Sequence, residues 1–333
     1  MCGEGFMQIG LIGLGNLGTA IGNLIAANGH QVLGWEYNQN VVTEINTQHL
    51  NARFLPEVPL NPNLKATSDL PMVFQDCRLV FVAIPSVFIQ PTLEPVRARV
   101  DPELLLVNMA KGIDGESGLT SFQVLSSLFP QNPRVMLSGP SIANEFARGM
   151  PTVVVIAGPR KSDLLQVSYL LDNKSFRTRF AEDAIGVELG GILKNIYAIG
   201  LGMFDGQNIT SVNFRSVYLT IALEEMARLG VSFGAKIETF LYLSGIGDLL
   251  ATALSGHSHN RRLGELLAQG LSLAEIKEKM GVLPEGYNTL KVMLYIAEKL
   301  HVSIPLAKGL WDVINGRFEA EKFIFSFIKD FVE

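Results

Sequence analysis

Lys194 sits within ELGGILKNIYAIGLGMFDG, residues 188–206, a segment that is otherwise almost wholly apolar and dotted with glycine. Lysine is seldom fully buried without a partner. An ammonium here must be paired with an anion or titrate below the ordinary lysine range. Asp248, itself set among apolar residues in GIGDLLAT, is the candidate partner. An ammonium oriented by a carboxylate can stabilise negative charge growing on an oxygen and can hand it a proton. The plainer alternative is a lysine at the rim of a core helix with its head in water. Lys111, in NMAKGID just past an apolar run, is either a ligand-binding cation or a solvated loop residue. Thr252 follows Asp248 by four residues and shares its face if the stretch is helical.

Two further clusters could hold a ligand. Ser258, His259, Asn260, Arg261 and Arg262 form a run of donors suited to a phosphate or carboxylate, or simply an exposed loop opening a helix. LSGPSIANEFARGMPT, residues 137–152, is rich in small residues, so its backbone can approach a ligand and Ser138 and Ser141 can donate. Its alternative is a turn into a helix with Ser141 or Asn144 near the cap.

IGLIGLGNLGTA carries Gly13-x-Gly15-x-x-Gly18 directly after a strand-like run and at the start of a helix-like one. Glycines so spaced permit a tight turn, close approach to a pyrophosphate, and tight helix–strand packing. Free N–H groups at the helix start favour the phosphates. Glu36, at the end of the second strand-like run, can bind adenosine ribose hydroxyls and repel a 2′-phosphate. Tyr37 and Asn38 supply no arginine for that phosphate. The pattern predicts a dinucleotide cofactor, NAD preferred over NADP.

The elements around these residues follow a clear plan. MQIGLIG, HQVLGWE, CRLVFVAIP, LLLVNMA, RVMLSGP and PTVVVIAG read as strands, with helix-like pieces between several of them. Such alternation predicts a mostly parallel, doubly wound α/β sheet with both faces covered. From Asp183 onward the pattern is helical, over 183–204, 213–229, 233–243, 260–269, 272–279, 287–300 and 305–315. The expected organisation is a dinucleotide-binding Rossmann-type domain at 1–182 and an all-α substrate domain at 183–333.

Composition sets further bounds. The 333 residues suit two domains, and 48% hydrophobic against 18% charged residues can build large cores. A net charge of −5 argues against general nucleic-acid or anionic-membrane binding but leaves a small anionic substrate open. Cys2 and Cys77 form neither a disulfide framework nor a zinc site, and no metal-ligand cluster is visible. The N-terminus lacks the pattern of a signal peptide. No membrane span is expected, because the most apolar stretch, near 183–206, carries Glu188, Lys194, Asn195 and Asp205 and reads better as a buried helix.

Taken together, GLGNLG (13–18), NARFLP (51–56), AIPS (83–86), KGI (111–113), LSGPSIANE (137–145), GVELGGILKNIYAIGLGMFDG (186–206), EEMARLG (224–230), GIGDLLAT (245–252), NRRLG (260–264) and PEG (284–286) resemble the NAD(P)-dependent glycerol-3-phosphate dehydrogenase family, in order and over nearly the whole chain. The resemblance implies interconversion of dihydroxyacetone phosphate and sn-glycerol 3-phosphate in a crevice between the two domains. It also implies a supply of glycerol 3-phosphate to phospholipid synthesis and a cytoplasmic homodimer. By the same resemblance Lys194 is the acid/base group, and Lys111, Asn195, Asp248 and Thr252 complete the substrate shell. Gly139, Ser141, Ser258 and Asn260 match substrate-contact positions, and Asn16, Leu17, Ala143 and Glu285 match cofactor-contact positions.

Three positions depart from the family pattern. His259 stands where an arginine touches both phosphate and cofactor, Ile221 replaces a second arginine, and Trp35-Glu36-Tyr37 replaces W-x-R. The first two leave alternatives open: the same fold acting on another small hydroxy or keto substrate, or a dinucleotide sensor without turnover. Arg261 or Arg262 is the expected compensation for His259.

Overall fold

The computed structural model describes residues 8–75, 77–115, 117–256 and 258–330. Cys2 and the extreme N-terminus read for a targeting signal lie outside the described residues. The chain forms two compact units, Met1–Ala110 with Leu119–Val187, and Lys111–Gly118 with Glu188–Glu333. The second unit thus includes an eight-residue excursion carrying Lys111, for which a single cut near residue 183 has no place.

The first unit is built on an eight-stranded sheet of β1 (Gln8–Ile12), β2 (Gln31–Trp35), β3 (Leu64–Thr67), β4 (Leu79–Val82), β5 (Leu105–Asn108), β6 (Arg134–Ser138), β7 (Thr152–Ala157) and β8 (Phe176–Ala181). The spatial order is β3-β2-β1-β4-β5-β6-β7-β8. All neighbours are parallel except β6 and β7. The central strands are buried on both faces. Ile9, Leu11, Leu79, Phe81, Leu105 and Val107 enter one core, and Ile12, Val80, Val82 and Leu106 enter the other. That alternation reflects the two-residue repeat of an extended chain.

Helices cover both cores. On the first lie α1 (Asn16–Ala27) and α2 (Gln39–Gln48); on the second lie α3 (Leu70–Gln75), α4 (Ile89–Leu93) and α5 (Ser121–Leu128). α6 (Ala143–Phe146) and α7 (Lys161–Leu171) join the first. The order around β1 reverses between β2 and β4, the point at which open α/β sheets bind ligands beyond the carboxyl ends of their strands.

Beyond Ala181 the described residues contain no further strand. α8 (Ala184–Gly206) and α9 (Val212–Ser232) are followed by α10 (Ile237–Phe240), α11 (Asp248–Leu254), α12 (His259–Ala268), α13 (Leu273–Met280), α14 (Glu285–Lys299), α15 (Pro305–Ile314) and α16 (Ala320–Asp330). The single helix expected over 233–243 is instead the short α10 followed by a π-turn at Leu243–Gly247. α8 is long and apolar enough to cross a membrane, and Ile237–Leu254 passes the same test of length and composition. The most apolar window of α8 is 78% buried within the protein, as a core helix requires. Ile237–Leu254 is no continuous α-helix, because the π-turn interrupts it.

The glycines of α8 explain its composition. A Cβ on Gly202 would lie 1.8 Å from the Arg261 carbonyl oxygen, so α8 and α12 meet backbone to backbone. Glu225 of α9 is buried in the same unit. It accepts hydrogen bonds from the Tyr197 hydroxyl (3.0 Å) and from the first free N–H groups of α15, Leu306 (2.7 Å) and Ala307 (3.0 Å). Burial pushes its carboxyl above the usual range, and those three donors oppose the rise.

Candidate active site

In the second unit a buried carboxylate is shared by two ammonium groups. Asp248 is 2% exposed. Its Oδ1 accepts from Lys194 Nζ at 2.8 Å and its Oδ2 from Lys111 Nζ at 2.7 Å. Lys194 also donates to Thr252 Oγ1 at 2.8 Å, and that hydroxyl donates to the Asp248 carbonyl at 2.8 Å. The latter bond confirms that Thr252 and Asp248 share one helical face. Two of the three Lys194 donors are therefore engaged, and among the described residues the third has no acceptor. The side chains of Lys194 and Lys111 are only 13% and 14% exposed.

Local sequence explains this convergence of distant segments. Gly190 lies one turn before Lys194 on α8, and a Cβ there would come within 2.3 Å of the Ser244 carbonyl oxygen. Only glycine lets the π-turn lie this close to α8. The turn leads straight into Asp248 at the start of α11, which sets the carboxylate beside Lys194. π-turns are rare and concentrate at functional sites.

The group carries one negative and two positive charges, so it favours an oxygen that is becoming anionic. Burial lowers the Lys194 ammonium below the usual lysine range; Asp248 opposes that shift, and the neighbouring Lys111 charge adds to it. A lysine so tuned can exchange a proton at lower pH than a free one. Lys194 is thus not a lysine at the rim of a core helix with its head in water.

A second polar group lies in the same unit. Asn260 Oδ1 accepts from the Gly286 N–H at 3.0 Å, and a Cβ on Gly286 would come within 2.5 Å of the Asn195 carbonyl oxygen. Asn195, Asn260 and the start of α14 at Glu285 are thereby brought together. Ser258 caps α12, its hydroxyl accepting from the Arg261 N–H at 3.3 Å, and His259 opens the helix in an exposed position.

Both arginines expected to compensate for His259 already have carboxylate partners. Arg261 is committed to Asp205 and to two backbone carbonyls, and Arg262 pairs with Glu265 at 2.5 Å. Ile221 lies in the apolar core of the unit, where an unpaired cation would be costly.

The first unit holds the glycine motif at the end of β1. Gly13 has φ of 97°, which favours glycine. A Cβ on Gly18 would lie 1.9 Å from the Gly13 carbonyl oxygen, whereas one on Gly15 would meet nothing within 4 Å. Gly15 is the N-cap of α1 and no side chain caps that end. Backbone N–H groups beside an open approach fit a dinucleotide pyrophosphate.

Asn16 is exposed and donates to the Phe54 carbonyl (2.6 Å) and to Asn144 Oδ1 (3.0 Å), next to Ala143 at the start of α6. Leu17 is partly buried beside it. Neither Ser141 nor Asn144 caps α6, whose N-cap is Ile142 without a side-chain bond. Ser141 instead donates to the Gly139 carbonyl at 3.0 Å, and Gly139 has φ of 108°. Glu36 is buried just past β2, where Oε1 accepts from the Asn38 N–H at 3.0 Å.

Comparison with known proteins agrees with both units. Residues 8–163 match the family described as NAD-dependent glycerol-3-phosphate dehydrogenase N-terminus, and residues 183–325 match its C-terminus counterpart. A glycerol-3-phosphate dehydrogenase [NAD(P)+] of Ectopseudomonas mendocina is 40% identical over 94% of this chain and 92% of its own length. One from Carboxydothermus hydrogenoformans is 38% identical over 93% of each. The crystal structure of glycerol-3-phosphate dehydrogenase from Coxiella burnetii superposes with a TM-score of 0.91 at 29% identity, over 97% of this chain and 99% of that one.

Proposed function

The chain belongs to the NAD-dependent glycerol-3-phosphate dehydrogenase family, and we propose that it interconverts dihydroxyacetone phosphate and sn-glycerol 3-phosphate with NAD(H) or NADP(H). The observation that carries this reading is the sharing of Asp248 between Lys194 and Lys111. A nicotinamide cofactor, when bound, would supply or take up the hydride. As hydride reaches the carbonyl carbon, charge grows on the carbonyl oxygen. Lys194 stabilises that charge and transfers a proton to it; in the reverse direction the neutral amine takes the hydroxyl proton. Asp248 keeps the ammonium charged and aimed, and Thr252 fixes its second N–H. Lys111 adds positive field, while Asn195, Gly139, Ser141, Ser258, His259 and Asn260 bind the rest of the substrate.

Gly13, Gly15, Asn16, Leu17, Gly18, Glu36, Ala143 and Glu285 serve the cofactor in this reading, together with Lys111 and His259. The protein works as a cytoplasmic homodimer that supplies glycerol 3-phosphate to phospholipid synthesis. The test is oxidation of NADH by purified protein on addition of dihydroxyacetone phosphate. Turnover supports the proposal. Turnover only with an unphosphorylated ketone, or cofactor binding without turnover on any ketone, contradicts it.

Cofactor choice rests on Glu36. Its carboxylate accepts ribose hydroxyls and repels a 2′-phosphate, which favours NAD. Glu36→Arg is expected to move the ratio of kcat/KM for NADPH over NADH upward by about 10-fold or more. An unchanged ratio in steady-state assays removes Glu36 from that role.

A further inference from the structure

Asp205, near the end of α8, accepts two guanidinium groups. Arg215 of α9 donates to its Oδ1 at 2.6 Å, and Arg261 of α12 donates to its Oδ2 through Nη2 at 2.6 Å and Nε at 2.9 Å. The remaining arm of Arg261, Nη1, donates to the carbonyl oxygens of Ala253 (2.9 Å) and Ser255 (2.5 Å) at the end of α11. One planar side chain therefore joins three pieces of backbone. These are α8, which carries Lys194; the end of α11, which carries Asp248 and Thr252; and the first turn of α12, which carries Ser258, His259 and Asn260.

The connection from α11 to α12 is open to solvent at Leu254 and Gly256. Leu254 is 86% exposed, and nothing lies within 4 Å of where a Cβ on Gly256 would stand. α11 is held independently, through Asp248 and its two lysines and through the close passage of the π-turn at Gly190. Loss of the guanidinium would thus unfasten the end of α11 from the start of α12, where Asn260 keeps its bond to the Gly286 N–H, more than it would disturb the acid/base group.

We infer that Arg261, clamped by Asp205, is a positioning residue for recognition of the substrate phosphate, holding the Ser258–Asn260 turn at a fixed place relative to Lys194. The inference rests on the phosphorylated substrate proposed above. Arginine is needed because its fork satisfies a carboxylate and two carbonyls at once, which a lysine ammonium at the end of a flexible stem cannot reproduce. His259 gives the arrangement its importance: without a permanent cation at that position, phosphate binding depends on well-placed neutral donors.

The experiment compares dihydroxyacetone phosphate with dihydroxyacetone as substrates for the wild-type chain, Arg261→Lys and Asp205→Asn, with thermal melts of each. In both variants kcat/KM for the phosphorylated ketone is expected to fall on the order of 100-fold, mostly through KM. The value for dihydroxyacetone should stay within about 3-fold, so that the preference for phosphate collapses. Equal losses on both ketones, or a preserved preference, overturn the positioning role and leave the dehydrogenase reading intact. Failure of both variants to fold also overturns it, since the pair would then hold the unit rather than the turn. A wild-type chain with no preference for the phosphorylated ketone overturns the functional reading and this inference with it.

Discussion

Lys194→Ala is expected to lower kcat for reduction of dihydroxyacetone phosphate by about 10⁴-fold while leaving the KM for NADH within about 2-fold. The substitution removes both the charge that stabilises the developing alkoxide and the donor of its proton. It should not unfold the protein, because Asp248 keeps its 2.7 Å bond to Lys111 and is not stranded in the core. Steady-state kinetics with a thermal melt check both parts. A loss of only a few-fold, with the fold intact, would assign the proton to another group.

Asp248→Asn is expected to act differently. The amide keeps the shape of the carboxylate but leaves two ammonium groups facing a neutral side chain, and their repulsion is no longer offset. Removing one partner of a buried ion pair costs about 3–5 kcal/mol. The thermal midpoint should therefore fall clearly, unlike that of Lys194→Ala. A kcat loss of about 10³-fold is expected as well, because the acid is no longer held charged and aimed. A variant with unchanged midpoint and near-normal kcat would show that the pairing at 2.8 Å does not govern the reaction.

Much of this was legible in the sequence because burial leaves a strong signature. The apolar runs of β1, β4, β5 and β7 are strands buried on both faces, and the glycine motif stands where the first of them ends. Lys194 and Asp248 could be matched because each is a charge among apolar neighbours, and such charges need each other.

Other elements lacked that signature. β3 reads Leu64-Lys65-Ala66-Thr67 and lies at one edge of the sheet. β8 lies at the other edge, with Arg177, Arg179 and Phe180 exposed. Edge strands have less to bury, so they show little apolar continuity. α16 does carry an apolar signal, since Phe323, Ile324 and Phe327 lie on one buried face. The π-turn ahead of Asp248 left none, because glycines suit many backbone shapes. Arg261 looked like a free cation; its binding to Asp205, 56 positions away, depends on the close approach of α8 and α12 at Gly202.

The pH dependence of kcat/KM for ketone reduction, compared between the wild-type chain and Asp248→Asn, bears on the heart of the account. Reduction needs Lys194 protonated, so the rate should fall as pH rises through its pKa, and burial sets that fall below the ordinary lysine range. Oxidation of glycerol 3-phosphate needs the neutral amine and should rise over the same interval. Asp248 raises that pKa, so Asp248→Asn should move the alkaline limb to lower pH. A limb that stays in place when the carboxylate is removed would mean that Lys194 is not the titrating acid, or that Asp248 does not control it.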